Sequence, residues 1–366
     1  MKVLIRIGNI ALGLLIAVIA LILVAIIVQA IIANQIKRNH AITAPGGIDE
    51  EIVLSVGGIE QYLNIRGEDT SNPVILFLHG GPGGTMTSAL HAYQYPWEQE
   101  YTVVNWDQRV AGKTYFLNKE NAEELASQLS IDLMLDDLHE IVLYLRERFG
   151  KQKIIIMGQS WGSVLGSQFA LEYPDLTQAF VGVGQTVNVT GGMLKMAEYV
   201  RSLAEAQHND TDMAAIDEIV TRIKDSAVIP NAEALEIYKI AQSYVTVDMN
   251  TTVFMKALLT SPYYSLSELT YYGKQEQLAE SLIQYLLTYN LYDYGSNYEV
   301  PIIYIIGDQD WHNRIAAEEY FNDVNAPYKQ FILIEDAGHV TMLDQPESFY
   351  FELSNALNSA FSESVR

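Results

Sequence analysis

The sequence predicts an α/β domain with a mostly parallel sheet and helices on both faces, an inserted helical cap, and one transmembrane helix ahead of it. Three observations lead there. Short apolar runs of strand length alternate with segments of helical spacing over residues 51–186 and again over 300–366. Residues 187–299 break that alternation with a long helical stretch, too long for a connection. Ile10–Val28 is an unbroken run of 19 apolar or Gly residues.

The apolar run comes first. At about 1.5 Å per residue it nearly spans a hydrocarbon core of about 30 Å. A buried globular helix is rarely apolar on every face for so long. A cleaved signal peptide is the alternative, with Val28 and Ala30 as small residues before a cut, but its apolar region is usually only about 7–15 residues. The expectation is therefore an uncleaved, single-pass anchor over residues 7–33. Lys2, Arg6 and the terminal amine flank one side, and Lys37 and Arg38 the other. This slim excess places the N-terminus inside and the large domain outside.

Residues 34–50 read as a tether ending at Pro45-Gly46-Gly47. Glu51–Val56 and Ile59–Ile65 flank Gly57-Gly58, the signature of a β-hairpin. Pro73–Leu78 and Thr102–Trp106 read as strands. Ile131–Phe149 reads as a helix stopped by Gly150. Lys153–Met157 is a strand, Gly162–Tyr173 a helix and Ala179–Val183 a strand. After the cap come strands Ile302–Ile306 and Gln330–Ile334 and a closing helix, Glu347–Phe361. The expected domains are thus a core of 51–186 with 300–366 and a cap of 187–299. Residues 231–300 hold 11 of the 23 tyrosines, which suits aromatic walls around a small, partly apolar group.

Composition removes several classes of function. The chain has 22 Lys+Arg against 45 Asp+Glu, a formal charge of -23. All the acids lie beyond residue 40. A domain so acidic repels phosphate backbones, which argues against nucleic acid as a partner. There is no cysteine, which excludes disulfides, thiolate catalysis and Cys-ligated metals. No H-E-x-x-H occurs, so neither a metal nor a cofactor is expected.

Gly158-Gln159-Ser160-Trp161-Gly162 matches G-x-S-x-G, a pattern that also arises by chance. Here it sits between a strand and a helix. A sharp turn at that junction lifts a serine hydroxyl above the sheet, and small neighbours let the backbone pass. A serine needs a base, and the base needs an orienting carboxylate. Of seven histidines only His312 and His339 follow the cap. His339 lies just past a strand, where catalytic groups of such sheets gather. Asp310, in Gly307-Asp308-Gln309-Asp310, is the expected acid, with Asp308 as its rival. One of the two would only form a turn. In His79-Gly80-Gly81-Pro82-Gly83-Gly84, glycine lets the backbone approach a substrate. The Gly81 and Trp161 amides are the expected donors to an oxyanion. Gly112-Lys113-Thr114 looks like part of a phosphate loop, but Asp107 stands where its first glycine is required.

Together these motifs resemble the prolyl iminopeptidase family of α/β-hydrolases. His79–Gly83 matches its oxyanion loop, Gly158–Gly162 its elbow, Asn105-Trp106-Asp107-Gln108-Arg109 its Asp-Gln-Arg segment, and Asp310 and Gly338-His339 its acid and base. The resemblance covers residues 51–186 and 300–360. It implies an α/β-hydrolase fold with an inserted cap. It also implies a serine hydrolase that removes an N-terminal, Pro-like residue from short peptides through an acyl-enzyme. A carboxylesterase or amidase acting on small acyl substrates is the alternative. Family members that are aminopeptidases hold the substrate amine with cap glutamates. Glu198, Glu236 and Glu268 are the candidates here, each also readable as a solvated helix face. The chain departs from the family in having Val110 where Gly is usual and Asp308-Gln309-Asp310 where Arg-Tyr-Asp is common.

Overall fold

The structure is a computed structural model that describes residues 2–225, 231–245 and 251–363. Eight strands make one sheet: β1 (Ile48–Val56), β2 (Ile59–Gly67), β3 (Val74–Leu78), β4 (Thr102–Asp107), β5 (Ile154–Gln159), β6 (Thr177–Val183), β7 (Ile302–Gly307) and β8 (Lys329–Ile334). Their order is β1-β2-β4-β3-β5-β6-β7-β8. β1 and β2 are antiparallel, β2 runs antiparallel to β4, and every remaining pair is parallel. Burial explains the composition of the inner strands. β3, β4, β5 and β7 are buried at every residue, because helices cover both faces of a parallel sheet and leave no polar side. The β1–β2 turn has φ 53° at Gly57 and 78° at Gly58, the positive pair that a tight hairpin demands.

The helices are α1 (Lys2–Asn39), α2 (Ile131–Phe149), α3 (Trp161–Glu172), α4 (Val189–Ala206), α5 (Asp210–Asp225), α6 (Asn231–Ala241), α7 (Thr251–Thr260), α8 (Glu280–Thr288), α9 (Trp311–Asp323) and α10 (Pro346–Glu363), with shorter turns between them. α2 ends where its capping residues say it should. The Ser130 hydroxyl accepts from the Leu133 amide at 3.2 Å, and Gly150 closes the helix at φ 62°. α4 to α8 lie between β6 and β7. They contribute a small core of their own, in which Met196, Val200, Ile216, Ile219, Ile223 and Ile237 meet.

Most strand and helix ends fall within two residues of expectation, and two boundaries differ by more. Residues 34–39, read as tether, continue α1. Gln35 bonds Asn39 at 2.7 Å and Arg38 bonds Asn34 at 3.4 Å across single turns, and Lys37 and Arg38 suit a helix C-terminus. β1 begins at Ile48 rather than Glu51, so only residues 40–47 remain irregular.

α1 contains a stretch long and apolar enough to cross a membrane, and that stretch is exposed. Its far end docks on the domain. Gln29, the first polar residue after Ile10–Val28, is buried. It donates to the Tyr264 carbonyl at 2.9 Å and accepts from the Leu266 amide at 3.2 Å. Just past the helix, His40 stacks on Tyr95 with centroids 3.9 Å apart, and Arg66 donates to the His40 carbonyl at 2.7 Å.

Candidate active site

Parallel strands bring their C-terminal ends to one edge of the sheet, so the loops after β3, β5, β7 and β8 converge there. The first carries the glycines of residues 80–84, the second Ser160, the third Asp310 and the fourth His339.

Ser160 has φ 53° and ψ -117°, a conformation costly for any residue with a side chain and usually held only where the surroundings enforce it. The flanking glycines make it possible. A Cβ on Gly158 would collide with the Gly162 carbonyl, and one on Gly162 with the Leu78 carbonyl. The Ser160 amide is secured by the Val183 carbonyl at 3.0 Å.

Asp310 is buried, and its Oδ2 stands 2.9 Å from Nδ1 of His339. Burial alone would make both groups resist charge. The pairing outweighs it: Asp310 is held below the usual carboxylate range and His339 above the usual histidine range. His312 flanks the same carboxylate at 3.4 Å, but burial pushes its imidazole down to about 4, so at neutral pH it is uncharged. Its Nδ1 also meets the Tyr238 hydroxyl at 2.9 Å. Asp308 faces elsewhere. Its Oδ1 accepts from the Ala337 amide at 3.3 Å and so shapes the loop that carries His339. Asp310, His312 and His339 offer ligand atoms within 4.8 Å of one another. A cation held there would take the lone pairs that join Asp310 to His339.

Ser160, His339 and Gly81 line one cleft of about 330 Å³. Gly81 has φ 131°, which favours glycine, and the Trp161 amide opens α3 directly after Ser160. Met86, Phe254, Tyr272 and Val340 supply apolar walls, and Gln275 closes the cap side. Among the described residues no Asp, Glu, Lys or Arg lines this cleft. The three glutamates proposed for an amine are not brought to it. Glu198 is exposed on α4, Glu236 pairs with Arg222 at 2.5 Å, and Glu268 accepts from the Ser265 amide at 2.8 Å. Glu198 faces water, Glu236 bridges α6 to α5 and Glu268 caps its own turn, surface roles that suit a carboxylate without a buried partner.

Sequence reasoning missed what holds the glycine loop. The Asp-Gln-Arg segment braces three neighbours. Asp107 accepts from the Thr85 and Thr87 hydroxyls at 2.5 and 2.8 Å. Gln108 accepts from the Trp161 ring nitrogen at 3.0 Å and donates to the His79 carbonyl at 3.2 Å. Arg109 clasps Asp137 and reaches the Gly57 carbonyl at 2.6 Å. Cap tyrosines complete the clasp. Tyr264 donates to Asp107, Tyr271 to the Gly83 carbonyl, and Tyr272 to the Thr85 carbonyl at 3.0 Å. Among the described residues, Tyr272 is the one cap tyrosine that walls the cleft. Their density was visible in the sequence, but its use in gripping a loop was not. Val110, where the family has Gly, sits at φ 52°, the backbone that explains the usual glycine.

Known proteins agree with this architecture. A protein of Bacillus subtilis named "probable aminopeptidase" is 26% identical over 82% of this chain and 94% of its own length. A proline iminopeptidase of Saccharolobus solfataricus is 20% identical over 86% of this chain and 94% of its own length. The crystal structure of a proline iminopeptidase-related protein of Thermus thermophilus superposes with a TM-score of 0.58 at 19% identity, covering 86% of this chain and 99% of that one, a likeness of fold. Residues 73–346, from the start of β3 to the start of α10, match the family described as the alpha/beta hydrolase fold. With its sheet, its elbow and most of its length accounted for in this way, the chain belongs to the α/β hydrolase fold family.

Proposed function

We propose that the protein is a membrane-anchored serine hydrolase that cleaves uncharged, apolar acyl groups from esters or amides. The observation that carries this reading is one cleft lined by Ser160 on its elbow, Gly81 and His339, with the buried Asp310 bonded to His339. His339 takes the Ser160 proton as the hydroxyl oxygen attacks the acyl carbon. The carbonyl oxygen becomes an oxyanion facing the Gly81 and Trp161 amides. Collapse expels the leaving group, which receives the proton from His339. Water then repeats the sequence on the acyl-enzyme and releases the acid. Asp310 keeps the imidazole in the tautomer that these transfers need.

The acyl group is inferred from the walls. A free ammonium buried among Met86, Phe254, Tyr272 and Val340 would lack a counter-charge among the described residues, at a cost of several kcal/mol. The aminopeptidase reading has its support in the names of the relatives. The two separate on a free N-terminal prolyl amide, its N-acetylated twin and a short acyl ester, each offered to the native chain and to Ser160→Ala. The ester and the acetylated amide should be turned over at least as fast as the free amine, and Ser160→Ala should be inactive on all three. A free amine cleaved far faster than its twin would restore the aminopeptidase.

The docking of α1 supports an anchor that is kept. A cut after Ala30 would remove Gln29 and leave the Tyr264 carbonyl and Leu266 amide without the partner they have here. Residues 41–366 carry all 45 acids, so the domain would avoid an anionic cytoplasmic surface, which favours the outer side.

A further inference from the structure

α7 is the helix between the cleft and the outside. Phe254 walls the cleft and meets Tyr272 edge-on at 6.2 Å. Ala257 and Leu258 are buried beneath it, while Met255 and Leu259 are 51% and 50% exposed on its outer face. α7 also packs against α1. Four and six residues past its end, the Tyr264 carbonyl and Leu266 amide grip Gln29. Gln29 directly follows Ile10–Val28. That run is about 28 Å long as a helix, so it has no length to spare across a hydrocarbon core of about 30 Å. Once it spans, Gln29 lies at the boundary, and the helix packed beside it lies there too. The His40–Tyr95 stack and the Arg66 bond fix α1 at a second level, so the domain is held at one height rather than swinging on a loose tether.

We infer that the outer face of α7 rests in the membrane interface and that the Ser160 cleft takes its substrate from the bilayer, as an amphiphile whose apolar acyl chain passes Phe254. Met255 and Leu259 extend the apolar surface of α1 sideways onto the domain. Lys256, exposed between them, reaches toward headgroups while its stem stays apolar. A domain this acidic finds no electrostatic attraction at an anionic surface, so an apolar contact is what holds this edge to lipid. The reaction is ordinary hydrolysis: the acyl C–O or C–N bond breaks, water supplies hydroxyl to the acid and a proton to the alcohol or amine. The inference rests on the serine hydrolase reading and the retained anchor.

Its test uses the full chain in vesicles of neutral phospholipid. Because the chain has no cysteine, Leu259→Cys creates a single thiol for a fluorophore, and Gln152→Cys, exposed before β5 at the opposite end of the sheet, gives the control. A quencher borne on the lipid should dim the probe at 259 and spare the one at 152. In parallel, Met255→Asp with Leu259→Asp should slow hydrolysis of a long-chain acyl ester dissolved in the vesicles by about tenfold or more, with a short water-soluble ester within about twofold of native. Equal quenching at both positions, or an unchanged rate on the vesicle-borne ester, overturns the inference. If both rates fell together, the quenching of the active single-thiol chain would decide. A native chain that hydrolyses neither ester, or a Ser160→Ala chain that still does, would sink the hydrolase reading instead and leave the quenching result standing.

Discussion

Ser160, His339 and Asp310 were visible at different depths. Ser160 was legible because G-x-S-x-G needs a strand before it and a helix after it, and both have strong sequence patterns. His339 was legible by its place after a strand. Asp310 could not be separated from Asp308 by spacing alone, since both occupy one short loop. Only the path of the backbone turns one carboxylate to the imidazole and the other to the Ala337 amide. Asp310→Asn should lower kcat by about four orders of magnitude, as removal of an orienting carboxylate does in a well-studied protease, while Asp308→Asn should cost far less. The pH profile adds a second readout. A histidine base works only when neutral, and Asp310 raises the pKa of His339. Activity should therefore fall on the acid side of a midpoint above the ordinary histidine value of about 6.5. Removing the Asp310 charge should move that midpoint down. A midpoint unmoved in Asp310→Asn would mean that another group sets it.

Strands and helices were read more securely than their ends. An inner parallel strand such as β3 or β5 is apolar at nearly every position, and few other elements are. The cap was legible as helical but not in its packing. Its helices touch neighbours on more than one side, so a carboxylate at helical spacing does not announce which way it faces. For this reason Glu198, Glu236 and Glu268 could not be placed from the sequence. The tyrosine segment makes the clearest case. Tyr264 reaches from the cap to Asp107, which also holds Thr85 and Thr87 beside the glycine loop. Tyr264→Phe should lose about 1–3 kcal/mol of stability by depriving a buried carboxylate of one donor. A melting temperature lower by several degrees and a reduced kcat on a soluble ester would follow, since the slackened loop carries Gly81. Tyr292→Phe, at an exposed ring 46% accessible, should change neither measurably. Equal behaviour of the two variants would show that the clasp does not position the loop.

The whole molecule departs from a hydrolase on a flexible leash. Composition showed an apolar run and an acidic domain, but not that one docks on the other, because the contact depends on a glutamine that looks like a mere interruption of the run. A chain beginning at Thr43 keeps all eight strands, since β1 starts at Ile48. It loses the Gln29 bonds to Tyr264 and Leu266, the His40 stack on Tyr95, and the carbonyl that receives Arg66. A chain beginning at Ala25 keeps them all while losing most of the apolar run. The expectation is that both fold, that the Thr43 chain melts several degrees below the Ala25 chain, and that its turnover falls, because Tyr264 is the residue that links α1 to Asp107. Full-length protein should stay with membranes after a high-salt or carbonate wash, which strips proteins bound only by charge. Full-length chain in the soluble fraction at unchanged mass would dismiss the anchor. Identical melting of the two shortened chains would show instead that α1 only tethers the domain and does not brace it.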